Sequence, residues 1–194
     1  MDDRTNNPPC AAPSALSPHS SMDEEPIINL SGDTYYMGEA LRQAMRAYNS
    51  DEVPVGAIIV KGDKVISRAY NQVELLQDAT AHAEILAITQ AEAAIGAWRL
   101  SGCTLFVTKE PCAMCAGAMV QSRIQRVVYG ASDLKGGAAG GAINLLQFPT
   151  FNHRCDIESG IREEECIQLL KHFFHEKRAL GSSASASHRL NPEP

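Results

Sequence analysis

Two short stretches limit what this chain can fold into more than any other feature: Thr80-Ala81-His82-Ala83-Glu84 and Glu110-Pro111-Cys112-Ala113-Met114-Cys115. Each lies where a helix is expected to begin after a strand. His82, Cys112 and Cys115 are the donor types that hold a catalytic zinc, which takes three protein ligands and keeps a fourth position for water. Two cysteines separated by two residues can grip one ion from the first turn of a helix, where the positive end of the helix dipole also favours thiolate over thiol. Residues two apart in a helix interior point to different faces, so His82 and Glu84 can share a site only near a helix start. A carboxylate that is not a ligand, placed beside such a water, can take its proton and later return it to a leaving group. Three donors with one free carboxylate describe a hydrolytic centre, whereas a structural zinc is closed by four ligands.

The surrounding pattern alternates helix and strand. From Asp33, a plausible cap, Met37, Leu41, Ala44, Met45 and Tyr48 recur at helical spacing and predict a helix over 34–49. Strands are expected at 55–60 and 65–71 across a turn at Lys61–Lys64, then at 104–108 and 126–130, with a short fifth around 155–158. Thr80 is read as the cap of a second helix reaching Ile95, and Pro111 as the first residue of a third ending near Ser122. The stretch 135–142 (KGGAAGGA) must be loop. A last helix is expected over Ile161–Ala179, with Cys166, Leu169, Leu170, Phe173 and Phe174 inward and Lys177 and Arg178 near its negative end. This is an α/β layered fold with a mixed sheet.

Around that domain, 31–180, residues 1–30 read as a disordered leader rich in Pro, Ser and acid, and 181–194 as a flexible tail. The net charge of −6 is concentrated in the leader, which carries −4 and leaves the body at −2. A nearly neutral body can still hold a basic patch, so charge neither supports nor excludes a nucleic-acid partner. No stretch approaches the roughly 20 apolar residues of a membrane span, and no export signal is recognisable, which predicts a cytoplasmic protein. Of the other cysteines, Cys103, Cys155 and Cys166 read as packed residues and Cys10 as an exposed leader thiol.

HAE followed by PCAMC resembles the signature of the cytidine-deaminase superfamily. The longer strings EVPVGAIIV (52–60), DATAHAEILAI (78–88) and EPCAMCAGAMVQSRIQRVVYGASDLKGGAAG, with Asn152-His153-Arg154 and FFHEKR in the last helix, resemble the bacterial tRNA-specific adenosine deaminases over about residues 33–180. That resemblance implies a three-layer α/β/α sandwich with a mixed five-stranded sheet, one zinc per subunit on His82, Cys112 and Cys115, Glu84 as proton shuttle, and a homodimer. It implies that adenosine becomes inosine at the wobble position of a tRNA, an arginine tRNA with an ACG anticodon being the expected substrate. Asn71, the main chain of Ala83 and Val55 would surround the flipped-out base, although burial in a core strand explains Val55 equally. Asp133, Lys135, His153, Arg154, Phe174, Lys177 and Arg178 would meet the anticodon stem-loop; solvation, turn capping or core packing remain alternatives for these. The chain departs from the family pattern at Ala79, where Pro is common, at Lys109, usually apolar, at Ser132, often Arg, and at Glu176. A deaminase of a free base such as guanine or cytosine, or a catalytically dead RNA-binding partner, are the competing readings. Glu84 speaks against the latter.

Overall fold

The computed structural model describes residues 32–187, and the leader with Cys10 lies outside the described residues. Helix α1 (Asp33–Asn49) leads into an antiparallel pair, β1 (Gly56–Lys61) and β2 (Lys64–Tyr70), followed by a single turn, α2 (Val73–Leu76). Then come α3 (Ala83–Ile95), β3 (Cys103–Lys109), α4 (Ala113–Gln121), β4 (Arg126–Ala131), β5 (Asp156–Ser159) and α5 (Glu163–Ser187). The five strands form one sheet in the order β2-β1-β3-β4-β5. β1 runs antiparallel to both β2 and β3, while β3, β4 and β5 are mutually parallel.

Strand alternation divides the core into two layers. Ala57, Ile59, Leu105, Val107, Val127 and Tyr129 face α3 and α4, where Ala83, Ala87, Ala91, Cys115 and Met119 complete the packing. The intervening Ile58, Val60, Phe106 and Val128 face α1 and α5, meeting Tyr36, Met37, Ala40 and Cys166. The three central strands are therefore apolar on both sides, as expected of a sheet covered by helices on both faces. The result is the α/β/α sandwich with a mixed five-stranded sheet. Cys103, Cys155 and Cys166 are buried as expected.

Several local expectations are corrected. The cap of α1 is Gly32, not Asp33, whose carboxylate instead takes two hydrogen bonds from the Arg126 guanidinium at 2.8 and 2.6 Å. Thr80 does not cap α3, because its N–H (2.8 Å) and hydroxyl (2.7 Å) both go to the Asp78 carboxylate in a local turn. The helix begins later, with His82 in the extended cap position. Pro111 likewise precedes its helix, and Cys112 is the cap of α4. α5 continues past Ala179 to Ser187, so Lys177 and Arg178 lie about three turns before its end and gain little from its dipole. Phe174 points outward, 44 % exposed, while Phe173 packs inward.

Candidate active site

Both candidate segments leave the same end of the sheet. β3 ends at Lys109, and Glu110-Pro111 carries the chain to Cys112; β2 ends at Tyr70, and Asn71 and α2 lead toward His82. The starts of α3 and α4 thereby converge. Because His82 and Cys112 are caps and Cys115 lies in the first turn, all three donors sit where backbone N–H groups lack intrahelical partners.

The donor atoms of His82, Cys112 and Cys115 lie within 4.8 Å of one another. Nδ1 of His82 is 3.7 Å from Sγ of Cys112 and 3.5 Å from Sγ of Cys115. A tetrahedral ion with metal–sulfur bonds of about 2.3 Å and a metal–nitrogen bond of about 2.0 Å sets sulfur–nitrogen edges of about 3.5–3.6 Å. These residues fit such an ion without rearrangement, and among the described residues the donor set has three members. Hydrogen bonds from Cys115 and His82 depress Cys112 to about 3, while the sharing with Cys112 and burial push Cys115 up. His82 is raised, chiefly by its hydrogen bond to Cys112. The three groups thus behave as one unit with shared protons, which a cation would displace.

Glu84 is 4 % exposed, and burial is the largest influence raising its carboxyl above the usual range. It lines a cavity of about 300 Å³ together with His82, Cys112, Val55 and Asn71. Ala83 is fully buried between two of these lining residues, and as the first residue of α3 its N–H has no intrahelical acceptor.

Two buried carboxylates absent from the sequence expectations organise this cavity. Glu52, 1 % exposed, accepts hydrogen bonds from Nδ2 of Asn71 (3.0 Å) and from the Leu75 N–H (2.7 Å). It fixes the Asn71 amide and ties α2 to the rim. Glu110, 2 % exposed, accepts the N–H groups of Asp133 (2.8 Å), Ala139 (3.0 Å) and Gly141 (2.8 Å). A Cβ on Gly137 or on Gly141 would run into that carboxylate, which gives the glycine-rich loop a steric reason for its composition. No pattern near Glu52 or Glu110 signals this, because their partners are remote in the chain.

The remaining expected residues divide by position. Phe174 and Arg178 line a second cavity beside the first, with Lys109 common to both. Lys177 pairs with Asp51 at 2.5 Å and lies over the Phe173 ring, 5.4 Å from its centroid. Asp133 pairs with Lys109 and accepts the N–H groups of Lys135 (2.9 Å) and Gly136 (3.0 Å), while the Lys135 side chain is exposed. His153 and Arg154 stand apart from the site. Nε2 of His153 meets the Ile124 carbonyl at 2.6 Å, beyond the far end of α4, which separates it from Cys112 by roughly 14 Å. Arg154 donates to the Pro149 carbonyl at 2.9 Å.

This arrangement has counterparts among known proteins. Residues 32–178 match the family model of the MafB19-like deaminases. The tRNA-specific adenosine deaminase of Bacillus subtilis is 51 % identical over 146 residues, spanning 75 % of this chain and 91 % of that protein. That of Aquifex aeolicus is 48 % identical, over 76 % of this chain and 97 % of that protein. A solved tRNA:A34 deaminase, which edits A to I at the wobble position of transfer RNA, superposes with a TM-score of 0.69 at 45 % identity, covering 71 % of this chain and all of that one. A guanine deaminase from Bacillus subtilis also superposes, at TM-score 0.51 and 36 % identity over 53 % of this chain and 66 % of that one. At these identities along most of both chains, the chain belongs to the family of tRNA-specific adenosine deaminases.

Proposed function

We infer that this protein converts adenosine to inosine at the wobble position of a tRNA anticodon, the expected substrate being an arginine tRNA with an ACG anticodon, using one zinc per subunit. The observation that carries the reading is the three-donor centre at the joined starts of α3 and α4, opening on a cavity that also holds a buried, unligated carboxylate. Zinc held by His82, Cys112 and Cys115 would supply a water of lowered pKa and a Lewis acid. Glu84 would accept a proton from the attacking water and deliver it to the departing nitrogen. The balance is adenosine plus water giving inosine plus ammonia. Burial raises the Glu84 carboxyl above its ordinary value, the direction that suits a group that must both take and give a proton. Asn71, its Nδ2 committed to Glu52, would offer its carbonyl oxygen to the base, with the Ala83 N–H and the Val55 side chain completing the pocket.

A base can enter such a cavity only when turned out of its stack, and an anticodon loop presents unstacked bases. Phe174 and Arg178 would meet the loop beside the cavity, with Lys135 on the neighbouring rim. Two copies would associate through the apolar helix α4 around 116–120 and the glycine-rich loop, with Met114 exposed at the start of α4. Among the described residues no helix is long and apolar enough to cross a membrane.

The test is an inosine assay on the zinc-loaded protein with the arginine tRNA, read as adenosine-to-guanosine changes after reverse transcription. Glu84→Gln should retain zinc and tRNA binding and lose conversion by at least 10³-fold, within the scale of a general acid–base contribution of roughly 10²–10⁴. No conversion by wild type, together with ammonia release from free guanine, would replace this reading with that of a free-base deaminase.

A further inference from the structure

Lys109 closes β3 and borders two cavities at once. Beyond the catalytic cavity, a second space of about 270 Å³ lies between the end of β4 and α5. It is walled by Lys109, Ser132, Lys171, Phe174 and Arg178 over an apolar floor. Three of these carry positive charge and none is acidic. Phe174, 44 % exposed, presents an aromatic surface beside them. An aromatic face among cations is the composition that seats a nucleotide by stacking and phosphate attraction.

Lys109 is the joint between the two spaces. Its ammonium pairs with Asp133, whose carboxylate is also held by the Lys135 and Gly136 N–H groups. One partner leaves a three-donor ammonium able to donate elsewhere. Stability gives little reason for the lysine, because a partly exposed pair contributes little after the cost of ordering a long side chain. An apolar side chain at the end of a buried strand would serve the fold as well.

We propose that Lys109 binds the phosphate linking the nucleotide in the catalytic cavity to a neighbour seated against Phe174 in the second cavity. Asp133 anchors Lys109 at the boundary, so that the ammonium meets the backbone where the chain turns from one cavity into the other. The inference rests on the RNA reading above and specifies how this chain grips the strand next to the reacting base.

The test uses the full zinc-loaded chain in a Glu84→Gln background, so that the RNA is not consumed, and an anticodon stem-loop as probe. Lys109→Met should weaken binding about tenfold at 0.1 M salt, the loss of one charge-assisted contact. It should also flatten the dependence of log K on log salt by about 0.7, one phosphate contact on a single strand. Lys109→Arg should retain the slope. Stem-loops with a neutral methylphosphonate on either side of the target adenosine locate the contact: at one of the two linkages, Lys109→Met should add no further loss. Zinc content and melting temperature report whether each variant is folded, and Lys109→Arg keeps the test open if Lys109→Met is not. Unchanged affinity and slope in a folded Lys109→Met, with wild-type conversion intact, would overturn this inference alone. Absence of RNA conversion by wild type would overturn both this and the function it rests on.

Discussion

The most consequential single group outside the donor set is the Glu110 carboxylate, and its removal can be worked out bond by bond. Oε2 takes the Asp133 N–H and Oε1 takes those of Ala139 and Gly141, the carboxylate itself being 2 % exposed. A hydrogen bond to a charged group contributes about 1.5–3 kcal/mol, and a buried donor left without a partner costs about 1–3 kcal/mol. Glu110→Gln keeps the shape but turns one oxygen into an amine that faces an N–H, losing one bond and opposing two donors; about 2–3 kcal/mol should be lost. Glu110→Ala strands all three donors, and allowing for relaxation the loss should reach about 4 kcal/mol or more, against a total of 5–15 kcal/mol for ordinary domains. The assay is urea unfolding of zinc-loaded protein at pH 7, with the order Ala, Gln, wild type rising in stability. Gly137→Ala offers a second route to the same group, because its new Cβ pushes the carboxylate off its partners, for about 1–3 kcal/mol. Since both changes act on one set of bonds, the double variant should lose less than their sum. A Glu110→Ala protein within about 1 kcal/mol of wild type would refute the reasoning, for it would mean that the loop is held by something else.

Three further outcomes are expected. Chelation should abolish deamination and lower the melting temperature, and readdition of zinc should restore both, because the ion binds the folded donor set far better than the unfolded chain; a melting curve indifferent to chelator would count against a resident metal. The Asp133 carboxyl is held down to about 2 from 3.8, first by Lys109. A depressed carboxyl stabilises the fold above its unfolded value and loses that contribution as pH falls through its folded value, so Asp133→Asn should lower stability by no more than about 1 kcal/mol at pH 6, the partly exposed pair with Lys109 adding little to the two backbone N–H bonds. The gap between the two proteins should close between pH 4 and 2; a gap constant with pH would dismiss the charge. Phe174→Ala should weaken stem-loop binding by about 1–3 kcal/mol while changing stability by no more than about 0.5 kcal/mol, as its exposure implies; equal effects on both would make it a core residue.

Some of this site is readable from residue order and some is not, and the division follows chain distance. His82, Glu84, Cys112 and Cys115 are legible because helix geometry alone brings members of each segment together, and because a donor type at a helix start carries its own chemical meaning. The layers are legible because helices alternate with strands along the chain, and successive residues of β1, β3 and β4 prove apolar on both faces. Boundaries fail where a side chain has a better remote or competing local offer. Asp33 leaves its cap role for Arg126, 93 residues away, and Thr80 is captured by Asp78 before it can cap anything.

The buried glutamates show the same limit more sharply, and they explain why the site is more rigid than its donor list suggests. Glu110 stands two residues before Cys112, yet the N–H groups it holds lie 23, 29 and 31 residues further along. From the other side, the Ala138 N–H donates to the Pro111 carbonyl at 2.8 Å, and the Glu110 N–H continues the β3–β4 pairing to Ala131 at 2.8 Å. The two residues before the first cysteine are thus gripped by main chain from β4 and from the glycine-rich loop. Glu52 does the corresponding work for Asn71 from the loop before β1. One carboxylate braces the metal side of the cavity and the other the base side, each acting through the residues it holds. Gly137 and Gly141 are explained by the need to let a carboxylate sit against their backbone. On this account, substitutions at Gly137 and Gly141 should disturb the Cys112 side of the centre before they disturb RNA binding, a sequence of effects that zinc affinity and stem-loop affinity measured on the same variants would separate.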